Sequence, residues 1–489
     1  MSAIVHVPIS EAKKQQWALK KLPALLYFSY ALLVVLSLNN GFFWDSILQA
    51  SQYGQWFYKT NFTSFFYPET IDAGYSPLFG ILVAISWKIF GYNLITSHLL
   101  ILPFALGVVH QVLVLSRKFL SGNTAVFAAT LALADPTLLA QVTQVSPDIV
   151  LLFLYLFCLN QIIVRKRLLV ALALVFLGLI HMRGTIAVAC VFFTDVFVEI
   201  CYSRNFIPKN WRNIILTYLP AFFIVSTWLV LHYLHAGWWA YNPDPKWSWS
   251  AGRQLVSFPE MLRNSGIIVW RVMDFGRLFI WLGLLACGLY YFRDCLKLPQ
   301  KIWILLFAIC IPFLFFSIIS IPYSNPIGHR YYLVVYVLLA VLVCYLLAHI
   351  PNRFFRRFIY GFMLLGLLTG HFWIYPDSVA KGWDATLAHV PYFKLRHQAI
   401  AFLDAQHIPL ETVGSDFPNL APLSITDLKN DARRFKDKDL QTDAYVLYSN
   451  IFNNFSDEEL AALQTNWQVV KSWKKGQVKM ILYKKPEKR

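Results

Sequence analysis

On length alone a chain of 489 residues would divide into about three globular domains, but 57% of it is hydrophobic and only 14% charged, against about 25% charged in a soluble domain. With a mean hydropathy of +0.51 the chain lacks the polar coat that three soluble domains need, so most of it belongs in lipid. The 43 basic and 26 acidic residues leave a net charge of +17, which in a soluble protein would implicate nucleic acid; here its meaning depends on where it lies.

The N-terminal stretch MSAIVHVPISEAKKQQWALKK is too polar, and too long before its first apolar run, for a cleavable signal peptide. Residues 1–22 read as a cytoplasmic segment. A helix crossing the hydrocarbon core needs roughly 20 mostly apolar residues. Eleven runs meet or approach that length, at 23–39, 94–115, 123–141, 147–164, 168–181, 184–201, 213–235, 274–292, 302–321, 331–350 and 357–375. The fifth is short. SPLFGILVAISWKIFG at 76–91 has only about a dozen apolar residues and suits an interfacial or re-entrant helix better than a span. The expected fold is a polytopic α-helical membrane protein with about eleven transmembrane helices over 23–375 and long outer connections at 40–93 and 236–273.

The character changes at Pro376. Residues 1–375 hold 27 basic and 12 acidic residues, whereas 376–489 hold 16 and 14 in a much shorter stretch. The tail, 376–489, reads as a small soluble α/β domain. It has a helical stretch near 392–406, strands in ETVGS and YVLYSN, a capped helix beginning at Ser456, and a hairpin in WQVVKSWKKGQVKMILYKK. None of the seven cysteines lies in the tail or forms a CxxC pair, so they read as packing residues, with no disulfide framework or zinc site.

Orientation follows from the basic residues, which are retained on the cytoplasmic side. Alternate connections carry Lys13, Lys14, Lys20 and Lys21; Arg117 and Lys118; Arg165, Lys166 and Arg167; Arg204, Lys209 and Arg212; Arg293, Lys297 and Lys301; and Arg353, Arg356 and Arg357. These 18 of the 27 basic residues fall on one side, which places the N-terminus in the cytoplasm and, after an odd number of spans, the tail outside. Trp238, Trp239, Tyr241, Trp247 and Trp249 form an aromatic cluster on the outer side, read either as an interfacial belt or as a surface that stacks on a sugar. The lack of outer cysteines leans towards a bacterial inner membrane.

Ionisable groups that the bilayer would exclude mark function in such a chain. Outer acids are Asp45, Glu69, Asp72, Asp135, Asp148, Asp244, Glu260 and Asp274; beside them stand His181, Arg183, His329 and Arg330. Asp45, after the first span in NNGFFWDS, sits among Phe42, Phe43 and Trp44; an apolar setting raises a carboxyl's pKa and suits a general base, and the plain alternative is an interfacial loop acid. Asp148 follows Pro147 in the first turn of the fourth span, where the helix dipole alone would favour it. Arg330 opens the tenth span, where its planar fork could bind a lipid phosphate or simply snorkel to the interface. Arg183, in LIHMRGT with His181, is a second outer cation of the same kind. Arg271, Asp274 and Arg277 in WRVMDFGR read as an ion-paired helix start.

Four features together resemble the GT-C superfamily of polyprenyl-phosphate-sugar-dependent glycosyltransferases, in particular its protein mannosyltransferase and aminoarabinose transferase branch. They are the Trp44–Asp45 pair after the first span, Ser76-Pro77-Leu78-Phe79 leading into an amphipathic helix, Asp148 opening the fourth span, and Arg330–Tyr331 opening a late one. The resemblance covers roughly residues 20–375 and implies a first acid at the catalytic centre and a late arginine on the lipid-linked phosphate. Where the aminoarabinose branch has a charged or His residue and two prolines, this chain has Tyr75, Ser76 and one proline, which leaves Asp72 as the likelier chemical group there. No tight Asp-x-Asp pair is present, so no metal requirement carries over.

The expected reaction moves a sugar from a polyprenyl-phosphate donor to a hydroxyl of a glycan, lipid or protein acceptor on the exoplasmic face. Asp45 would be the base, with Asp148 as its catalytic companion, and Arg330 and Arg183 would stabilise the leaving phosphate. Asp72, Glu69, His181, His329 and Tyr331 would line the substrate. No cofactor is called for, beyond a divalent cation held through carboxylate oxygens if one is used. A polysaccharide ligase or polymerase shares the lipid-linked substrate but concentrates its charges in one late outer loop. A secondary transporter would set its acids near the midplane and show a repeat.

Overall fold

The computed structural model describes residues 9–203, 210–240, 242–244, 254–291, 299–324, 327–376 and 382–486, with the side chains of 9–20 left aside. Tyr241, Trp247, Trp249, Cys295, Arg204, Lys209, Arg293 and Lys297 lie outside the described residues.

Among the described residues, fifteen α-helices precede the tail. They are α1 (Ile9–Leu36), α2 (Tyr53–Lys59), α3 (Leu78–Phe90), α4 (Leu94–Phe119), α5 (Gly122–Leu133), α6 (Pro136–Val142), α7 (Pro147–Ile163), α8 (Arg167–Ile180), α9 (Met182–Ser203), α10 (Trp211–Ala236), α11 (Phe258–Met273), α12 (Leu278–Tyr291), α13 (Gln300–Ser320), α14 (Leu333–Ala348) and α15 (Arg353–Thr369). Every expected apolar run is wholly or largely helical. Not all are full-length spans: α4, α9, α10, α13, and α14 with the turn before it are each long and apolar enough to cross a membrane. The pairs α5/α6 and α11/α12 would each add one more, though bent by 70° and 84°. The apolar part of α1 (Lys21–Leu36), α7 and α8 are shorter. Among the described residues, length and composition alone thus give five spans, or up to seven if each bent pair is one. The stretch at 76–91 is α3, a 13-residue helix of the expected short type.

The breaks have local causes. Asp135 caps α6, accepting from the backbone N–H groups of Thr137 (2.9 Å) and Leu138 (3.1 Å), with Pro136 at the first helical position, so a new helix starts at an angle. Between α11 and α12, Phe275 (φ 50°) and Gly276 (φ 83°) are both left-handed, and a Cβ on Gly276 would strike the Gly366 carbonyl. Helix α14, LVVYVLLAVLVCYLLA, is apolar all round and buried on nearly every face, as a central helix must be.

The tail folds as a five-stranded mixed sheet of order β2-β1-β3-β5-β4, from β1 (Val413–Ser415), β2 (Lys436–Asp437), β3 (Tyr445–Ser449), β4 (Gln468–Lys475) and β5 (Val478–Lys484). Strands β1 and β3 pair parallel, and β4 and β5 form the expected hairpin. Helices α16 (Pro391–Ala405), α17 (Leu423–Thr426) and α18 (Asp457–Asn466) complete it; Ser456 and Glu459 make the capping box of α18. The largest buried cluster lies among the helices, a second lies in the tail, and a small third joins Tyr53, Phe57, Tyr67 and Ala84. Phe43, from the loop after α1, belongs to the second. It stacks on His389 at 5.1 Å, while Trp44 packs on Phe417, also at 5.1 Å. The aromatic residues around Asp45 thus dock the tail.

A buried polar seam reinforces this docking. The Phe42 N–H donates to the Thr426 carbonyl (2.7 Å), Ser51 Oγ to the Ile425 carbonyl (2.6 Å), and Gln55 Nε2 to the Ser424 carbonyl (3.0 Å). Arg396 grips both Asp427 oxygens (3.0 and 2.8 Å) and also donates to Asn419 and Thr426. Burial alone would push the Asp427 carboxyl up; the Arg396 guanidinium and the His397 ring outweigh it and hold the group well below the usual carboxylate range.

Candidate active site

Four elements of the helical part and one of the tail bring charged groups to a single point. Asp45 lies just beyond α1, after Trp44, whose left-handed backbone (φ 50°) turns the chain between the aromatic anchor and the carboxylate. Asp148 sits in the first turn of α7. Ser146 caps that helix, its Oγ accepting from the Asp148 N–H (3.2 Å) and donating to Asp148 Oδ2 (3.1 Å). Arg183 stands at the α8/α9 junction, where His181 Nδ1 accepts its backbone N–H at 2.9 Å. Arg330 occupies the 3₁₀ turn His329–Tyr332 that leads into α14.

Arg330 is the hub. Its guanidinium bonds to Asp45 and to Asp384, and its Nε lies 3.4 Å from Asp148 Oδ2. Arg183 holds the other Asp148 oxygen at 2.6 Å and lies over the Tyr331 ring, 4.3 Å from its centroid. Arg330 reaches the same ring at 5.8 Å. The side chains of Asp148 and Arg330 are only 5% and 10% exposed, whereas Asp45 is 44% exposed and so is the carboxylate open to an entering group. Asp148, the two guanidiniums and Tyr331 share the wall of a narrow crevice of about 10 Å³, whose remaining lining is Leu151, Leu152, Phe316, Leu333 and Val334.

The structure therefore gathers Asp45, Asp148, Arg183, Arg330 and Tyr331, with His181 supporting the turn that carries Arg183. Other expected residues are engaged elsewhere. Asp72 is buried and ties its loop to α10: Oδ2 is 3.0 Å from His232 Nε2, Oδ1 accepts from the Gly74 N–H (2.8 Å), and its carbonyl accepts from Asn242 (2.7 Å). What reaches the site from that loop is Tyr75, whose ring packs on His181 at 4.9 Å. Glu69 is exposed on the same loop. His329 turns away from Arg330, with Nε2 2.9 Å from Asp274 Oδ2 and its ring against Phe275. Arg277 takes the Asp135 carboxylate as its partner with two bonds (2.7 and 2.8 Å), meets Asp274 at its backbone carbonyl (3.2 Å), and lies over Tyr336. Among the described residues no group of three or more His, Cys, Asp or Glu is arranged to hold a metal.

Asp384 is the site residue that sequence reasoning missed. It lies in the 3₁₀ turn Trp383–Ala385 of the tail, held by Gln141 Nε2 donating to its carbonyl (2.9 Å) and Thr137 Oγ1 donating to the carbonyl of Ala385 (3.1 Å). Burial pushes its carboxyl up, Arg330 pulls the other way, and Asp45 and Asp148 add to the rise. One signal was available: GWDAT repeats the Trp–Asp pair of FFWDS. In both, the Trp enters the second cluster while the Asp meets Arg330.

No family model matches the sequence, and no curated protein matches it. Two solved structures do match, the crystal structures of ArnT from Cupriavidus metallidurans bound to undecaprenyl phosphate and in the apo state. Their TM-scores are 0.53 and 0.55, each covering 94% of this chain and 97% of the other. The chain has an ArnT-like fold. The many-helix architecture with a small α/β tail expected from the sequence is thus the one found. At 14% identity the likeness carries architecture and not the roles of single residues.

Proposed function

We propose that this protein is a multi-pass membrane glycosyltransferase that moves a sugar from a polyprenyl-phosphate donor to an acceptor hydroxyl on the exoplasmic face. The observation that carries this reading is that two guanidiniums, Arg183 and Arg330, line one narrow crevice together with the apolar side chains of Leu151, Leu152, Phe316, Leu333 and Val334. Such a site offers a charged fork to a phosphate and an apolar wall to its hydrocarbon chain. ArnT, which shares the fold, has been crystallised with undecaprenyl phosphate. In this reading the N-terminus is cytoplasmic and the site and tail face outward, since Arg117, Lys118, Arg165, Lys166, Arg167 and Arg353 all lie at the opposite ends of their helices.

Asp45, the exposed carboxylate of the cluster, removes the proton of the acceptor hydroxyl as that oxygen attacks C1 of the sugar. The C1–phosphate bond breaks with its electron pair going to the phosphate oxygen, and the added charge falls on Arg330 and Arg183. Asp148 takes no proton in this scheme; it fixes both guanidiniums in place. A single displacement inverts the anomeric centre.

The test is transfer from a radiolabelled polyprenyl-phosphate sugar in membranes, comparing wild type with Asp45→Asn and Arg330→Ala. Both variants are expected to lose transfer. Full activity in Asp45→Asn removes the proposed base, and normal transfer in both, with folding intact, overturns the site.

A further inference from the structure

The charges at the hub do not suit a phosphate. Asp45, Asp148 and Asp384 bring three negative charges against the two positive charges of Arg183 and Arg330, so the cluster is net negative before any ligand arrives. An entering phosphate would meet a fork already occupied by carboxylates, and like charges at this range repel strongly where water is scarce. One carboxylate has to leave.

The three are not equally free to do so. Asp148 is 5% exposed, sits where the α7 dipole favours it, and shares its oxygens with Arg183 and Ser146. Asp45 is 44% exposed, so water stabilises its charge with or without Arg330. Asp384 is 19% exposed, and among the described residues Arg330 is the sole side-chain partner of its carboxylate. Its burial also makes it costly to keep charged. Gln141 and Thr137 hold the carbonyls of residues 384 and 385, so the backbone there is tied independently of the side chain.

We infer that Asp384 is a stand-in for the phosphate: the tail places this carboxylate on Arg330, and the phosphate of the lipid displaces it by taking the same guanidinium N–H. The inference rests on the proposed reading of Arg330 as the phosphate-binding residue. It makes the tail a competitor for the donor. The affinity of the site for a lipid phosphate is set by how firmly Asp384 holds Arg330, and departure of the spent carrier is helped by the carboxylate returning. An isolated arginine would bind the carrier more tightly and release it more slowly.

The experiment measures binding of farnesyl phosphate to the full-length protein in detergent, with farnesol and inorganic phosphate as separate probes for tail and headgroup. Asp384→Asn keeps the size and the polar tip but loses the charge. It is expected to bind farnesyl phosphate about tenfold more tightly, the lower end of what a close charge pair across an interface is worth. Asp384→Glu keeps the charge and is expected to remain within a few-fold of wild type, and farnesol binding should be the same in all. Asp384→Ser serves the same purpose if the Asn variant does not fold. If Asp384→Asn binds no more tightly than wild type while Arg330→Ala still abolishes binding, the stand-in is refuted and the reading of the site survives. If Arg330→Ala binds normally, both fall together.

Discussion

Replacing Arg330 with Met tests the charge arrangement of the hub directly. Breaking a buried ion pair by removing one partner costs about 3–5 kcal/mol when the charge left behind has no other support. Three carboxylates lose a partner here, but only one is stranded. Asp148 keeps Arg183 at 2.6 Å, and Asp45 keeps water at 44% exposure. Asp384, at 19% exposure, loses the one side chain that, among the described residues, pairs with its carboxylate, and keeps only the more distant pull of Arg271. The expected loss is therefore about 3 kcal/mol at pH 8, the cost of one stranded charge and not three. It should also depend on pH in a definite direction. The Asp384 carboxyl already lies above its ordinary value, and loss of Arg330 raises it further. A folded state that holds the proton more tightly than the unfolded one loses stability as pH rises through that range and regains it as pH falls towards about 4. Thermal unfolding in detergent at a fixed scan rate, at pH 8 and pH 5, measures this. The variant should sit well below wild type at pH 8 and closer to it at pH 5, and adding Asp384→Asn should restore most of the loss at pH 8. An equal deficit at both pH values, or no rescue by Asp384→Asn, would refute the assignment of the stranded charge.

Three further expectations follow from the same geometry. Asp45→Asn should reduce transfer by at least about 100-fold, the usual worth of a positioned base, while leaving farnesyl phosphate affinity no weaker than in wild type; weakened binding would show that Asp45 serves the phosphate site and not the chemistry. Arg396→Leu leaves Asp427 with His397, 3.6 Å away, as its remaining ion-pair partner and should cost about 3 kcal/mol, read as a lower unfolding temperature and faster protease cleavage within the tail; unchanged protection would mean that the aromatic anchors alone hold it. His389 is buried against Phe43, with Nδ1 donating to the Thr386 carbonyl at 2.7 Å, and burial lowers its pKa to about 4. The stability it lends as a neutral ring is complete above about pH 6.5 and lost as pH falls from there towards 4, up to roughly 3 kcal/mol in all; His389→Phe should flatten the stability profile across that window.

The gross architecture was legible in the chain because it depends on local composition. Apolar runs set by the thickness of a bilayer read directly as helices, and Ser456 with Glu459 announced the start of α18 as plainly as alternating residues announced the β4–β5 hairpin. The positions of Asp45, Asp148, Arg183 and Arg330 at the ends of apolar runs marked them as groups that lipid would not hold unpaired. What composition could not carry was pairing. Asp72 and His329 look as promising as Asp148 in sequence, yet each is held by a partner distant in the chain, His232 and Asp274. Asp384 lies 339 positions after Asp45, and nothing local tells which cation it meets. An ion pair is decided by which helix ends and loops the fold sets within a few ångströms, and that choice is made by packing across the whole bundle and by the docking of Phe43 and Trp44 into the tail. Composition along the chain was enough to send it into a membrane and to set a few charges at the ends of its apolar runs; that Arg330 gathers Asp45 and Asp148, and that the tail adds Asp384, came from packing between elements far apart in the chain.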